Sequence, residues 1–245
     1  DGRGPFPAGG LLAAGESLKG GEERSADATE CLAGLCWEPA AFEVTCQPAP
    51  EDQGDVLVRF PSPKPSGVAS NDLVAMEWYL ARDEMNQPVR ARPIIVVHES
   101  GSGMTVGRIF AKQLQAKGLH AFLIHLPYYG ERRQPERRPK GGQILTVLRQ
   151  AIADVRRARD AVAVLPLVDS SHIALQGTSL GGIVAATTAG LDHGYDTIFL
   201  MLAGGDLASV IERGERYAAK CRSELERAGI TGDKLREVAG SIEPL

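Results

Sequence analysis

Residues 177–182, GTSLGG, constrain the fold of this chain more than any other segment. They join a predicted strand at 171–176 to a stretch rich in small residues at 180–191. A G-x-S-x-G spacing between a strand and a helix is typical of a serine held on a sharp turn, where flanking glycines let helix and strand approach closely. The first turn of the helix offers free N–H groups and a positive dipole end. The motif therefore predicts Ser179 as a nucleophile and the Leu180 N–H group as a donor to an oxyanion.

Strand and helix patterns alternate around this motif. A continuous apolar run predicts a strand at 93–97 that is buried on both faces, and further strands are predicted at 120–124, 171–176 and 197–202. Helices are predicted at 106–116, 144–165 and 180–191. Three earlier strands, at 42–46, 55–60 and 72–80, are separated by short polar turns. The pattern predicts an α/β fold with a doubly wound, mostly parallel sheet and antiparallel N-terminal strands. In such sheets the chemistry lies in the loops after the strands.

A second turn of interest follows the strand at 93–97. Its sequence is His-Glu-Ser-Gly-Ser-Gly at 98–103. An acyl-transfer site needs two N–H donors, one after the nucleophile and one from the loop after an earlier strand. The Ser100 N–H group is the candidate for the second donor, with that of Glu99 as the near alternative. We expect His98 to shape this loop and not to act as the catalytic base.

Length and composition exclude several classes of protein. Of the 245 residues, 43% are hydrophobic and 24% are charged, so the chain can bury a core without disulfide or metal support. The net charge of −4 argues against a general nucleic-acid binder, whose affinity depends on neutralising phosphates. No apolar run approaches the roughly 18 residues of a membrane span. We therefore expect neither nucleic acid nor membrane as a partner.

The N-terminal region differs from the rest in composition. Residues 1–40 are rich in Gly, Pro, Ala and charge without a sustained period, and predict a lead-in segment before a core at 41–245. The spacing of Cys31 and Cys36 does not match a zinc clamp, so we expect no metal, and either free thiols or one N-terminal disulfide. The chain begins at Asp1 and not at Met, which favours a secreted or periplasmic protein, with a cytoplasmic location as the alternative.

Together, the element order, the His98 turn and the GTSLGG motif resemble the α/β-hydrolase superfamily over about residues 42–202. The segment Leu-Pro-Tyr-Tyr-Gly at 126–130 is also similar to a loop of that superfamily. The resemblance is greatest to dienelactone-hydrolase and prolyl-oligopeptidase-like esterases, and to a branch with a P-Y-Y-G-x-R loop. It implies hydrolysis of a small acyl ester through an acyl-serine, without metal or organic cofactor.

The same resemblance raises a difficulty about the catalytic base. In the superfamily, the nucleophile is followed along the chain by an acid and then by a histidine. The only histidine after Ser179 is His193, which precedes the strand at 197–202 and so belongs at the opposite edge of the sheet. Asp206 follows that strand at the correct edge and is the candidate acid. Acids one strand later are commoner in the superfamily, so the acid is either Asp206 or, like the base, a residue beyond Leu245. We expect a C-terminally incomplete hydrolase that is completed by a C-terminal fragment of the same protein, and no histidine nitrogen within reach of the Ser179 hydroxyl.

Candidate substrate contacts lie between the strand at 120–124 and the helix at 144–165. Tyr128 and Tyr129 would line an acyl or sugar pocket, or else pack against the core. Arg132 opens a basic run at 132–140, which either binds an anionic substrate or is a solvated loop.

Two other classes of function compete with hydrolysis as interpretations of the sequence. A glycine pattern at 101–107 resembles a dinucleotide-binding turn, but no acid ends the next strand to hold a ribose, and no GK[ST] segment exists for a phosphate-binding loop. A non-catalytic binding or scaffold protein with a hydrolase-like fold is the alternative that remains open.

Overall fold

The computed structural model describes residues 11–15, 40–101, 103–134, 136, 143–240 and 242–243. Its strands are β1 (Leu11–Gly15), β2 (Ala41–Pro48), β3 (Val56–Pro61), β4 (Leu73–Tyr79), β5 (Pro93–Val97), β6 (His120–Ile124), β7 (Ala174–Thr178) and β8 (Thr197–Met201). Its helices are α1 (Ala69–Asp72), α2 (Thr105–Ala116), α3 (Ile144–Ala163), α4 (Leu180–Leu191), α5 (Leu207–Arg213), α6 (Tyr217–Arg227) and α7 (Gly232–Gly240), with a 3-10 turn at Gly130–Arg132.

All eight of these strands form one mixed sheet in the order β1-β2-β3-β4-β6-β5-β7-β8. The β1, β2, β3 and β4 strands are antiparallel to their neighbours, including β4 to β6. The β6, β5, β7 and β8 strands are mutually parallel. The predicted fold class, a wound parallel sheet that follows antiparallel N-terminal strands, is confirmed.

Helices cover both faces of the central parallel strands β5 and β6. Alternate residues of each strand point to opposite faces, so one strand supplies two cores. Ile95 and Val97 of β5 pack in the core beneath α3 and α4, while Ile94 and Val96 pack in a second core beneath α2. This two-sided burial explains why the strand sequences are continuously apolar.

Parts of the chain differ from the sequence-based expectation. The β1 strand lies in the lead-in segment and pairs with β2, although its five residues carry no periodic signal. After β8 come three helices, α5, α6 and α7, which the sequence patterns did not predict. The free thiols of Cys46 and Cys221 are buried and half-buried. Cys31, Cys36 and residues 137–140 of the basic run lie outside the described residues.

Among the helices of the described residues, none combines the length and the apolar character needed to cross a membrane.

Candidate active site

Ser179 occupies the sharp turn between β7 and α4. Its backbone has φ 53° and ψ −114°, a conformation that non-glycine residues rarely adopt. The Ser179 N–H group donates to the Met201 carbonyl of β8 at 2.9 Å. A strained conformation of this kind persists only where the surrounding structure holds it, and such residues cluster at functional sites. Ser179 is half-buried.

The glycines of the motif are required by close backbone contacts. A Cβ atom at Gly181 would overlap the Val97 carbonyl and lie 2.6 Å from the His98 carbonyl oxygen. One at Gly182 would lie 2.6 Å from the Ala203 Cβ atom. Real Cβ atoms essentially never approach other atoms this closely. The missing side chains therefore let the Ser179 turn rest directly against the turn that follows β5.

Two backbone N–H groups are available beside this turn. Within the described part of the chain, neither the Leu180 nor the Ser100 N–H group has a hydrogen-bond partner. The Ser100 loop is held by Glu99, whose carboxylate accepts from the N–H groups of Val106 and Gly107 at 3.0 Å each. This interaction satisfies the first turn of α2 and fixes the loop.

His98 is buried and its ring is fully engaged. Its Nδ1 atom lies 2.6 Å from the Glu99 carbonyl, and its Nε2 atom accepts from the Leu126 N–H group at 3.2 Å. The ring packs on Tyr129 with centroids 4.6 Å apart. Because Nε2 accepts, Nδ1 carries the proton and the ring is neutral. Burial lowers the pKa of His98 to about 4. His98 therefore shapes the loop, as expected from the sequence.

The rings of His120 and His125 are engaged in the same way. His120 Nδ1 accepts from the Trp78 indole at 3.2 Å, and its Nε2 atom lies 3.0 Å from the Leu167 carbonyl. His125 Nδ1 accepts from the Glu131 N–H group at 3.1 Å, while Nε2 contacts a carboxylate in the interior. Each ring has one donor and one acceptor in use, so neither has a nitrogen left to take a proton from a serine.

The two remaining histidines lie at the opposite edge of the sheet. His172 precedes β7 and contacts the Thr197 hydroxyl at 2.9 Å. His193 is exposed on the turn before β8. All five histidines belong to the described residues, and none is hydrogen-bonded to the Ser179 hydroxyl.

A buried carboxylate that sequence reasoning missed lies beneath the loops. Glu77 of β4 is fully buried and accepts from Arg108 and from the Tyr79 hydroxyl, both at 2.6 Å, and from His125 Nε2 at 3.0 Å. Although burial alone would raise the pKa of Glu77, hydrogen bonds from His125, Arg108 and Tyr79 lower it to about 2. A lone acid in an otherwise apolar strand was the available signal. This cluster ties α2 to the turn that follows β6.

Arg132 does not face a substrate. Its side chain is fully buried and forms an ion pair with Asp154 of α3 at 2.8 Å. It also donates to the Asn71 and His125 carbonyls. The prediction that Arg132 binds an anionic substrate is wrong, because the guanidinium group is used inside the protein to hold the turn.

Tyr128 and Tyr129 follow β6 at the same edge of the sheet as Ser179. Both are half-buried, and Tyr128 has φ 67°. Their role in substrate binding stays a prediction.

Asp206 also lies at the Ser179 edge, where it caps α5. Its exposed carboxylate accepts from the Ser209 N–H group at 3.0 Å, and hydrogen bonds from the side chain and the N–H group of Ser209 lower the pKa of Asp206 below its usual range. No histidine contacts it within the described residues. Its role as a triad acid stays a prediction.

The β8 strand lies at the edge of the sheet next to Ser179 and exposes apolar side chains. One of its edges pairs with β7, and the other carries no strand of the described residues. Phe199 is 50% exposed and Leu200 is 49% exposed, and Leu202, just beyond the strand, is 87% exposed. Ser179 itself bonds to this strand through Met201. The exposed apolar edge is therefore continuous with the candidate active site.

Solved structures of low sequence identity share this architecture. An acetyl xylan esterase from Paenibacillus sp. R4 superposes with a TM-score of 0.58 at 19% identity, over 93% of this chain and 74% of that one. Acetyl xylan esterase 1 from Thermoanaerobacterium sp. JW/SL YS485 gives 0.59 at 13% identity, over 92% and 74%. A hypothetical protein from Pseudomonas aeruginosa gives 0.50 at 19% identity, over 71% of this chain.

These comparisons define the class of fold. The chain has an α/β-hydrolase fold, with the serine turn at the carboxyl edge of its parallel strands. It spans about half the length of the Pseudomonas protein and three quarters of the two esterases. No protein-family model matches the chain, and a sequence search of well-characterised proteins finds no match.

Proposed function

We propose that this protein is a serine hydrolase that cleaves an ester or related acyl bond through an acyl-serine intermediate. The observation that carries the proposal is the strained Ser179 turn together with the N–H groups of Leu180 and Ser100, neither of which has a hydrogen-bond partner among the described residues. Donors placed where negative charge develops are worth about 10²–10³-fold each in acyl transfer. The esterase names of two structures with the same fold are consistent with this chemistry.

The proposed reaction has two stages. In the first, Ser179 Oγ attacks the ester carbonyl carbon while a general base takes the hydroxyl proton, and the N–H groups of Leu180 and Ser100 stabilise the oxyanion. The tetrahedral species then expels the alcohol, which receives that proton, and leaves an acyl-serine. In the second stage, water activated by the same base releases the carboxylic acid and restores the Ser179 hydroxyl.

We propose that this base is a histidine on a C-terminal fragment of the same protein, which adds a strand to the free edge of β8. Three observations support this proposal. The five histidines of the chain are engaged elsewhere or lie at the far edge of the sheet. The free edge of β8 exposes consecutive apolar side chains and adjoins Ser179. This chain aligns with 74% of the length of each of the two esterases, which are therefore longer than the aligned region. Asp206 is the candidate acid to orient that histidine.

A small acyl ester is the proposed substrate. Tyr128 and Tyr129 lie at the Ser179 edge and are the candidate walls of the acyl site. Because two structures of this fold are named acetyl xylan esterases, an acetyl ester of a carbohydrate is the first substrate to test. Assignment to the dienelactone-hydrolase and prolyl-oligopeptidase-like esterases is part of the same proposal.

The second candidate is a non-catalytic binding or scaffold protein with a hydrolase fold. It is favoured by one observation, that none of the five histidines contacts the Ser179 hydroxyl. An unassisted serine hydroxyl is a weak nucleophile, and a positioned base contributes about 10²–10⁴-fold.

Covalent labelling separates the two candidates. The full protein is incubated with a fluorophosphonate probe in the presence of imidazole as a free base, and the modified peptide is identified by mass spectrometry. We expect labelling at Ser179, none in Ser179→Ala, and unchanged labelling in Ser223→Ala, where an exposed serine of α6 is removed. Absence of labelling in a folded wild-type protein would overturn the hydrolase proposal and favour the scaffold.

A further inference from the structure

We propose that Asn71 is a positioning residue that holds Tyr128 in place beside the acyl site. This inference rests on the proposed function for its meaning, but the placement of Tyr128 is measurable without any activity. Asn71 lies on α1, a four-residue helix inserted between β3 and β4, and it is fully buried. It is far from Ser179 in sequence and carries no motif that marks it.

The backbone of Tyr128 needs to be held. Its φ of 67° is in the left-handed region, which bulky residues rarely adopt. Its chain neighbours are Pro127 and Tyr129, and Pro127 fixes its own φ and not that of Tyr128. The conformation therefore depends on contacts made by the turn at 125–132.

The Asn71 side chain supplies the contact at the middle of that turn. Its Oδ1 atom accepts from the Tyr128 N–H group at 3.0 Å. Its Nδ2 atom donates to Gln150 Oε1 of α3 at 2.8 Å and to the Ser66 hydroxyl at 2.9 Å. Two fixed acceptors on the nitrogen side leave the oxygen to face Tyr128, so the amide orientation is determined by the network.

Arg132 supplies the contacts at the ends of the turn. Its Nε atom donates to the Asn71 carbonyl at 2.9 Å and its Nη1 atom donates to the His125 carbonyl at 3.0 Å. The Asp154 carboxylate holds the guanidinium group. Because these bonds use the main chain of Asn71, a substitution of its side chain removes the bond to Tyr128 and leaves the ends of the turn attached.

The turn is also connected to the loop that carries Ser100. The Leu126 N–H group donates to His98 Nε2, and Tyr129 packs on the His98 ring. These contacts lie on either side of Tyr128 and do not involve Asn71. Loss of the Asn71 side chain should therefore displace Tyr128 while His98 and the oxyanion donors stay in place.

Hydrogen exchange tests the placement directly. The full protein is compared with Asn71→Ala by exchange mass spectrometry, with Ser66→Ala as the matched control, since it removes a neighbour of Asn71 but keeps the bond to Tyr128. We expect exchange in the peptide covering 126–133 to become at least tenfold faster in Asn71→Ala only, with β5 and β7 unchanged. Unchanged exchange in 126–133, or faster exchange throughout the sheet, would overturn the proposal.

A second variant keeps the test decisive if Asn71→Ala does not fold. Asn71→Asp retains an acceptor for the Tyr128 N–H group but loses the donors to Gln150 and Ser66. We expect it to lower the stability of the protein and still protect 126–133 from exchange. Loss of that protection in a folded Asn71→Asp protein would contradict the assignment.

The kinetics of ester hydrolysis supply a measurement that a purely structural role of Asn71 would leave unchanged. With imidazole present, Asn71→Ala should raise KM for a p-nitrophenyl ester about tenfold while kcat stays within twofold, because the pocket wall moves and the oxyanion donors do not. Equal losses in kcat and kcat/KM would contradict this part. If the wild-type protein does not turn over, the proposed function fails, and the exchange experiment still decides whether Asn71 positions Tyr128.

Discussion

Replacing His98 by glutamine should remove one source of acid sensitivity from the fold. The His98 ring is buried and neutral, and its pKa is about 4 in the folded protein against 6.5 for an ordinary histidine. Its contribution to stability is therefore complete above pH 6.5 and is lost as the pH falls from 6.5 towards 4. Between pH 7 and pH 5 the linkage relation gives a loss of about 2 kcal/mol from this group. Glutamine offers one donor and one acceptor but does not titrate.

The free energy of unfolding is measured in urea at pH 7 and pH 5 by tryptophan fluorescence. Burial also lowers the pKa of His120, so wild type and His98→Gln should both lose stability, and the wild type should lose about 2 kcal/mol more. His193→Gln, at an exposed histidine, should show the wild-type pH dependence. Equal losses in wild type and His98→Gln would refute the assignment of His98 as a buried, neutral residue.

Three further variants test other parts of the structure. Arg132→Met leaves the buried Asp154 carboxylate without its ion pair, so urea unfolding should show a loss of about 3–5 kcal/mol, and a wild-type midpoint would contradict the pairing. Gly181→Ala places a Cβ atom on the Val97 carbonyl and should cost about 1–3 kcal/mol in the same assay, whereas a neutral effect would mean that the two turns are not in contact. Phe199→Lys puts a charge among the exposed apolar side chains of β8 and should leave stability unchanged while it reduces aggregation, measured as light scattering of the concentrated protein. Scattering equal to that of the wild type would argue against self-association through β8.

The elements that sequence predicted well are those with local signals. Continuous apolar runs identified β5 and β6 because both faces of these strands are covered by helices. The Ser179 turn was predictable because a Cβ atom at position 177, 181 or 182 would come too close to neighbouring atoms, so the turn requires glycine there. The positions of the histidines relative to their strands were also local signals, since His172 precedes β7 and His193 precedes β8.

The residues that sequence misplaced depend on distant partners. Arg132 begins a run of basic residues and resembles a solvated loop, yet Asp154, 22 positions later on α3, draws its side chain into the interior. Asn71 and Glu77 stand in segments whose pattern records only a helix turn or a strand. Their partners are contributed by α3, α2 and the turn after β6, and periodic patterns in the sequence do not indicate such contacts.

Imidazole-dependent ester hydrolysis tests most directly the claim that Ser179 is a nucleophile whose base is supplied from elsewhere. The rate of p-nitrophenyl acetate hydrolysis is measured against imidazole concentration for the wild-type protein and for Ser179→Ala, each corrected for hydrolysis by imidazole alone. We expect the wild-type protein to hydrolyse the ester faster than Ser179→Ala does, at a rate that rises with imidazole concentration and saturates in the wild type only. Rapid turnover by the wild type without imidazole would show that the chain contains its own base, and identical rates in the two proteins at all concentrations would show that Ser179 is not a nucleophile.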